Sequence, residues 1–206
     1  MSIVLTLSPL RAEPSDDEKQ ALHNAQQSYR DGAFNLSANR VTALLKKYPK
    51  TELLAEAELA QAMAYYQLGR SDAALAALSL PLDQVPANLQ ADTLFWQAES
   101  LLDLGKWPEA EQKYRALLAL KDQAGHTDTA NLGVAWALFK QGREADALSL
   151  IQAIIKDRPK SPSGLAAKGP AMSCPSSRTC SPASGPAEAV LVASIPGVCR
   201  SPLRSR

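Results

Sequence analysis

Apolar side chains recur three and four residues apart along most of this chain. Leu94, Trp96, Leu101 and Leu102 mark one block, Tyr114, Leu117, Leu118 and Leu120 the next, and Leu148, Ile151, Ile154 and Ile155 a later one. That spacing lays an apolar stripe along one side of an α-helix. β-Branched alternation, which would mark half-buried strands, is absent before residue 160, so the pattern predicts an all-α fold. The helices pair as 15–30 with 34–47, 51–67 with 71–80, 88–103 with 107–120, and 127–140 with 144–157. The first starts from a capping box, Ser15 followed by Glu18, with Asp16 and Asp17 placed to complement the helix dipole.

The pairs repeat at a fixed interval. Gly32, Gly69, Gly105 and Gly142 lie 37, 36 and 37 residues apart. Three positions before them stand Tyr29, Tyr66, Leu102 and Phe139, and seven before them Ala25, Ala62, Ala98 and Ala135. Five positions after them stand Ser37, Ala74, Ala110 and Ala147. Small residues at both places let the two helices of a hairpin approach to roughly 8–10 Å. Seventeen positions after the glycines come Pro49, Pro86, Asp122 and Pro159, which predicts a helix stop in three of the four units. A period of this length is the mark of stacked helical hairpins, each burying its apolar face against its neighbours.

These residues resemble the tetratricopeptide repeat. Over residues 18–159 the turn glycine, the aromatic before it, the small crossing residues and the terminal proline match that family. The period is two or three residues longer than the family's usual ~34, and the family's frequent tryptophan at the fourth position reads Ala21, Glu58, Leu94 and Asn131. The resemblance implies a right-handed α-solenoid of about four repeats, 15–49, 51–86, 88–122 and 127–159, and binding rather than chemistry. In the family the first helix of each unit lines the concave side. Those positions map here onto Leu22, Gln26, Tyr29 and Arg30, then Leu59, Met63, Tyr66 and Gln67, then Phe95, Glu99, Leu102 and Asp103, then Leu132, Trp136, Phe139 and Lys140. An apolar and aromatic stripe with a few charges suits a groove for a peptide or helix. Tyr29, Tyr66 and Phe139 suit packing between hairpins equally. No cluster of Lys and Asn stands there to hold a C-terminal carboxylate.

At the level of repeat and leader the chain also resembles repeat proteins of bacterial envelope complexes, such as the Tol-Pal coordinator and the outer-membrane assembly lipoproteins. That implies a protein-interaction scaffold with a protein or peptide partner. The alternative is self-association, in which the apolar face of Ile151, Ile154 and Ile155 meets a second copy as a homo-oligomer.

Charge and candidate chemistry narrow the reading. From residue 160 onward six bases stand against one acid, leaving a tail of +5 and residues 1–159 at −4. The acidic body lacks the basic stripe of a nucleic-acid footprint. The tail holds seven of the 14 prolines and all 3 cysteines, Cys174, Cys180 and Cys199. Its composition predicts disorder, or a non-native end in which a shifted or truncated frame replaces further repeats. With no histidine after His126, the cysteine spacing is not that of a zinc set. His23 and His126 stand in no metal-ligand spacing, and Gly164 and Gly169 open no phosphate loop, so no catalytic residue, cofactor or metal is expected. Residues 3–10 are an apolar run before Arg11 and Ala12, similar to the back half of a secretory signal cut after Ala12. Export to the periplasm is the expectation, and a disordered leader on a cytoplasmic protein the alternative. Beyond that run no apolar stretch approaches the ~20 residues a spanning helix needs.

Overall fold

A computed structural model describes residues 13–157. The leader and the tail read from the sequence, 1–12 and 160–206, lie outside them. The described residues form α-helices with no strand among them: α1 (Asp16–Arg30), α2 (Phe34–Lys47), α3 (Leu54–Gln67), α4 (Ser71–Ala77), α5 (Ala87–Asp103), α6 (Trp107–Leu118), α7 (Thr127–Lys140) and α8 (Glu144–Asp157). The chain divides into two compact units, with the division in sequence between Ser100 and Leu101. In the first, α1 packs on α2 and α3, α2 on α3, and α3 on α4. In the second, α6 packs on α7 and α7 on α8. The all-α class and the helix-turn-helix repeats are those the sequence predicts.

The turn of each hairpin explains the period. Gly32, Gly69, Gly105 and Gly142 all take left-handed φ, between +71° and +77°. At Gly69 the N–H donates to Tyr66 O at 2.9 Å, and the N–H of Arg70 reaches back five residues to Tyr65 O at 2.9 Å. The same pair of bonds recurs at Gly142, from Gly142 to Phe139 O and from Arg143 to Leu138 O. This is the Schellman arrangement, which satisfies the last carbonyls of a helix and requires a residue that tolerates positive φ. The eight small crossing residues, Ala25, Ser37, Ala62, Ala74, Ala98, Ala110, Ala135 and Ala147, are all 0 % exposed. A larger side chain at any of them would hold its helix away from its partner.

Most helix limits follow the sequence, and the departures have local causes. At the start of α1 the Glu18 N–H donates to Ser15 Oγ, and the Ser15 N–H donates to Glu18 Oε2 at 2.7 Å, closing the predicted capping box. α3 begins at Leu54 rather than 51. Thr51 Oγ1 there accepts the Leu53 N–H at 3.1 Å, a local side-chain turn that competes with helix. α6 ends at Leu118 rather than 120, where Gln123 Nε2 donates to the Leu118 carbonyl at 2.8 Å.

A departure of equal size is at α4, which stops at Ala77 rather than 80. Its cause is Glu58 of α3, one of the four residues standing where the family often has tryptophan. Buried between the helices, its carboxylate accepts the Ser79 N–H at 3.0 Å, the Ser79 hydroxyl, and the Leu80 N–H at 3.1 Å. Those peptide donors bond the carboxylate in place of helix carbonyls, so the chain leaves α4 early and continues through a 3-10 turn at Leu82–Gln84. Gln90 Nε2 satisfies the Leu82 and Val85 carbonyls that follow, each at 3.1 Å. Pro86 then lies at the start of α5, its carbonyl accepting the Leu89 N–H at 2.8 Å. The helix stop predicted at Pro86 is therefore a helix start. Pro49 does follow the end of α2, and Pro159 lies outside the described residues.

Contacts between hairpins follow the same register. In the first unit Val41 and Leu44 of α2, with Leu45 and Tyr48 beside them, pack around Leu53, Ala57 and Ala60 at the start and along α3, and Gln61 Nε2 donates to Thr42 Oγ1 at 2.8 Å. The corresponding positions of α1 are Asp16, Gln20, His23 and Asn24, all exposed. These positions of α1 are polar where those of α3 are apolar or small over three of four places. In the second unit the fully buried ring of Tyr114 on α6 lies against Gly133 of α7. Glu111 of α6 fixes the next turn: its carboxylate accepts from Arg115 Nε at 2.8 Å, Gln141 Nε2 at 3.0 Å and Arg143 Nη1 at 3.3 Å. Burial pushes this carboxyl up, and the bonds from Gln141 and Arg115 with the charges of Arg115 and Arg143 outweigh it, holding the group below its ordinary range.

One sequence expectation is corrected at α8. Ile151 and Ile154, expected on an open apolar face, are buried, and of the three only Ile155 is partly exposed. The period of 3.6 turns both isoleucines inward.

Candidate partner-binding face

The predicted stripe separates into buried and open positions. Leu22, Leu59 and Leu132, ten residues before their glycines, are buried and contribute packing rather than surface. Gln26, Tyr29, Met63, Tyr66, Phe95, Glu99, Leu102, Trp136 and Phe139 are half-buried, and Arg30, Gln67, Asp103 and Lys140 are exposed.

In the first unit the stripe residues meet one another across hairpins. Tyr29 Oη accepts from Gln67 Nε2 at 3.2 Å, so the tyrosine of α1 reaches α3. Tyr66 Oη donates to Glu99 Oε2 at 3.1 Å, so the tyrosine of α3 reaches α5. The hydroxyl in each case ties one first helix to the next, and the ring fills the gap beneath. Tyr66 stands edge-on to Trp96 with centroids 5.2 Å apart, and Phe95 stands edge-on to the same ring at 5.2 Å. Tyr29 tilts onto Phe34 of its own hairpin at 5.3 Å. Such ring pairs contribute about 0.5–1.5 kcal/mol each beyond the area they bury. Tyr29 and Tyr66 thus serve packing and surface together: their rings seal the hairpin junctions while staying partly open. Arg30 Nη1 is held by Gln27 Oε1 at 3.0 Å on the open side.

In the second unit the stripe becomes a compact aromatic patch. Trp136 and Phe139 stack with centroids 5.8 Å apart and planes 26° from parallel, and the Lys140 ammonium lies 4.6 Å over the indole ring. A cation over an exposed ring face is worth about 0.5–1 kcal/mol and fixes where the charge sits.

Sequence reasoning did not single out Trp96, Phe34 or Gly133. Trp96 was legible as an apolar helix residue, but nine positions before the glycine the other units carry His23, Ala60 and Gly133, so the repeat gave it no common role. Gly133 left a signal, since a glycine in a helix interior is unfavourable unless something approaches it closely. A separate cleft of about 260 Å³ opens between α1 and α2, lined on one side by Asp17, Ala21 and Asn24 and on the other by Arg40, Leu44 and Lys47. It shares no residue with the stripe. Among the described residues no group of three or more His, Cys, Asp or Glu is placed to hold a metal ion, and no helix is long and apolar enough to cross a membrane.

Comparison with protein families agrees with this architecture. Tetratricopeptide repeat models match residues 55–79, which hold α3 from its second residue and all of α4, and residues 89–162, which hold most of α5 and all of α6 to α8. The chain carries tetratricopeptide repeats. Repeats of this family generally bind protein partners and are generally not catalysts. A comparison with curated proteins finds no match.

Proposed function

We propose that this chain is a non-enzymatic scaffold that holds a peptide or helix of another protein on the first-helix stripe, in the bacterial cell envelope. The observation that carries the reading is the recurrence of half-buried aromatic residues at one repeat position in three of the four units, Tyr29, Tyr66 and Phe139, on hairpins whose helix crossings are made by alanine and one serine. Aromatic side chains combine large contact area with few rotatable bonds, which is why they anchor interfaces. Alanine crossings supply rigidity but no surface to recognise.

The apolar run at residues 3–10 before Ala12 supports export. Capture from an envelope fraction tests the binding role. The wild-type chain is expected to retain a partner that a Gln67→Glu, Lys140→Glu double variant releases, with helicity unchanged in both. Equal retention by the two places the binding surface elsewhere, and retention only from the cytosolic fraction contradicts the envelope setting.

A further inference from the structure

The cleft between α1 and α2 lies inside one hairpin, and the repeat explains why it is there. Its walls are Asp17, Ala21 and Asn24 of α1 and Arg40, Ala43 and Lys47 of α2, each set spaced three and four residues apart along one side of its helix. Buried Leu44 and half-buried Tyr48 line it as well. Counting 37 residues on, Ala21 corresponds to Glu58 and Ala43 to Leu80. In the second hairpin those two counterparts meet: the Glu58 carboxylate takes this place and accepts the Leu80 N–H at 3.1 Å and the neighbouring Ser79 N–H at 3.0 Å. In the first hairpin alanine stands at both positions, so the cleft comes from the hairpin's own side chains.

The donors around it also differ. α4 ends early, which frees the amides of Ser79 and Leu80 for Glu58, whereas α2 runs on to Lys47 and keeps the amides of Thr42 and Ala43 in the helix. Two cations stand in their stead. Arg40 Nη1 donates to the Asn24 carbonyl at 2.9 Å and to Ser28 Oγ, which ties the guanidinium across to α1 and leaves Nε and Nη2 without a partner among the described residues. The Lys47 ammonium lies 4.8 Å over the Tyr48 ring. Two bases against one acid, Asp17, leave the cleft at +1.

We propose that this cleft binds a small carboxylate, with the carboxyl group over Ala43 between Arg40 and Lys47 and its carbon chain against Ala21 and Leu44. Arg40 and Lys47 flank Ala43 at three and four residues on the same side of α2, so both long side chains reach the place that the Glu58 carboxylate holds over Leu80. The open edge of the guanidinium offers two N–H donors to the two oxygens, a charge-assisted pairing stronger than a bond between neutral groups. At about 260 Å³ the cleft falls just below the roughly 300 Å³ at which pockets for drug-sized ligands begin, which suits a smaller molecule. The site shares no residue with the first-helix stripe, so it stands or falls apart from the scaffold reading.

NMR titration of the full chain tests this with butyrate, which has the carbon and oxygen atoms of a glutamate side chain from Cα outward, and with butyramide. Butyrate is expected to move the amides of Ala21, Ala43 and Leu44 in a saturable way, while butyramide, or sodium chloride at equal ionic strength, leaves them in place. Arg40→Gln is expected to weaken butyrate binding by at least about tenfold and Lys47→Gln by a smaller factor. Ala21→Glu is expected to supply the carboxylate from within, raising the thermal midpoint and abolishing butyrate binding. Equal shifts from butyramide or chloride, or butyrate binding that survives Ala21→Glu, overturn the proposal. Binding unchanged by Lys47→Gln overturns it too, and that variant keeps the bonds of Arg40 to α1 in place should Arg40→Gln fail to fold. A blocked tripeptide with a central glutamate that binds more tightly than butyrate names an acidic side chain of another protein as the occupant and overturns the assignment to a small molecule.

Discussion

A methyl group built on the Cα of Gly133 would lie 2.4 Å from Cζ of Tyr114. The tyrosine ring belongs to α6 and the glycine to the interior of α7, so the missing side chain is what lets the two helices close. The ring is rigid and fully buried. Gly133→Ala is expected to destabilise the chain by about 1–3 kcal/mol through overpacking, in spite of the gain of about 1 kcal/mol that alanine normally brings to a helix. Urea denaturation checks this, with partial recovery when Tyr114→Leu is added. An alanine variant as stable as the wild type contradicts the close approach.

The bonds around Glu111 make stability depend on pH. Its folded pKa lies below the ordinary 4.5, so between the two values the unfolded chain binds more protons, and stability rises with pH. The contribution is complete above the unfolded value and is lost as pH falls through the folded one. Glu111→Gln is expected to lower stability at pH 7 by about 1–3 kcal/mol, the usual range for bonds to a buried charged group. That gap should close as pH is brought below 4.5. Thermal melts of both proteins between pH 7 and pH 3 measure it, and a gap that stays constant or widens in acid contradicts the assignment.

Ser37 stands where the other repeats have Ala74, Ala110 and Ala147, and its hydroxyl is buried with no hydrogen-bond partner. Removing such a group recovers its desolvation penalty, so Ser37→Ala is expected to stabilise the chain by about 1 kcal/mol. Alanine also has the higher helix propensity. A lower denaturation midpoint for the variant would show that the hydroxyl is bonded.

Glu58→Ala is expected to release the segment after α4. The amides of Ser79 and Leu80 lose their acceptor and should exchange hydrogen faster by a factor corresponding to about 1–2 kcal/mol of lost protection. Amides of α1 should exchange as before. Unchanged exchange at Ser79 and Leu80 contradicts the account of why α4 is short.

The hairpin series was legible because it rests on local signals. A glycine with positive φ, a small residue seven before it and another five after are fixed by backbone geometry at each turn, so they recur with the period and can be counted. The limits of α1, α2, α7 and α8 followed from capping and 3.6-residue periodicity alone. What the sequence hid depends on partners far along the chain. Glu58 reads as a surface charge until Ser79 and Leu80 are brought to it, and Pro86 reads as a stop until the early end of α4 moves it to the front of α5. The stripe was legible by position and only partly by role. Leu22 and Tyr29 fall on the same side of α1, and nothing in their spacing shows that the first is sealed by packing while the second stays half open.

The measurement that bears most directly on the scaffold role is site-specific photo-crosslinking in cells. A photoreactive residue would be placed in turn at Arg30, Gln67 and Lys140 on the first helices, and at Asn39 and Gln152 on the exposed sides of the second helices. The account predicts adducts to another protein from the first set and none from the second. Adducts confined to Asn39 and Gln152 would contradict it.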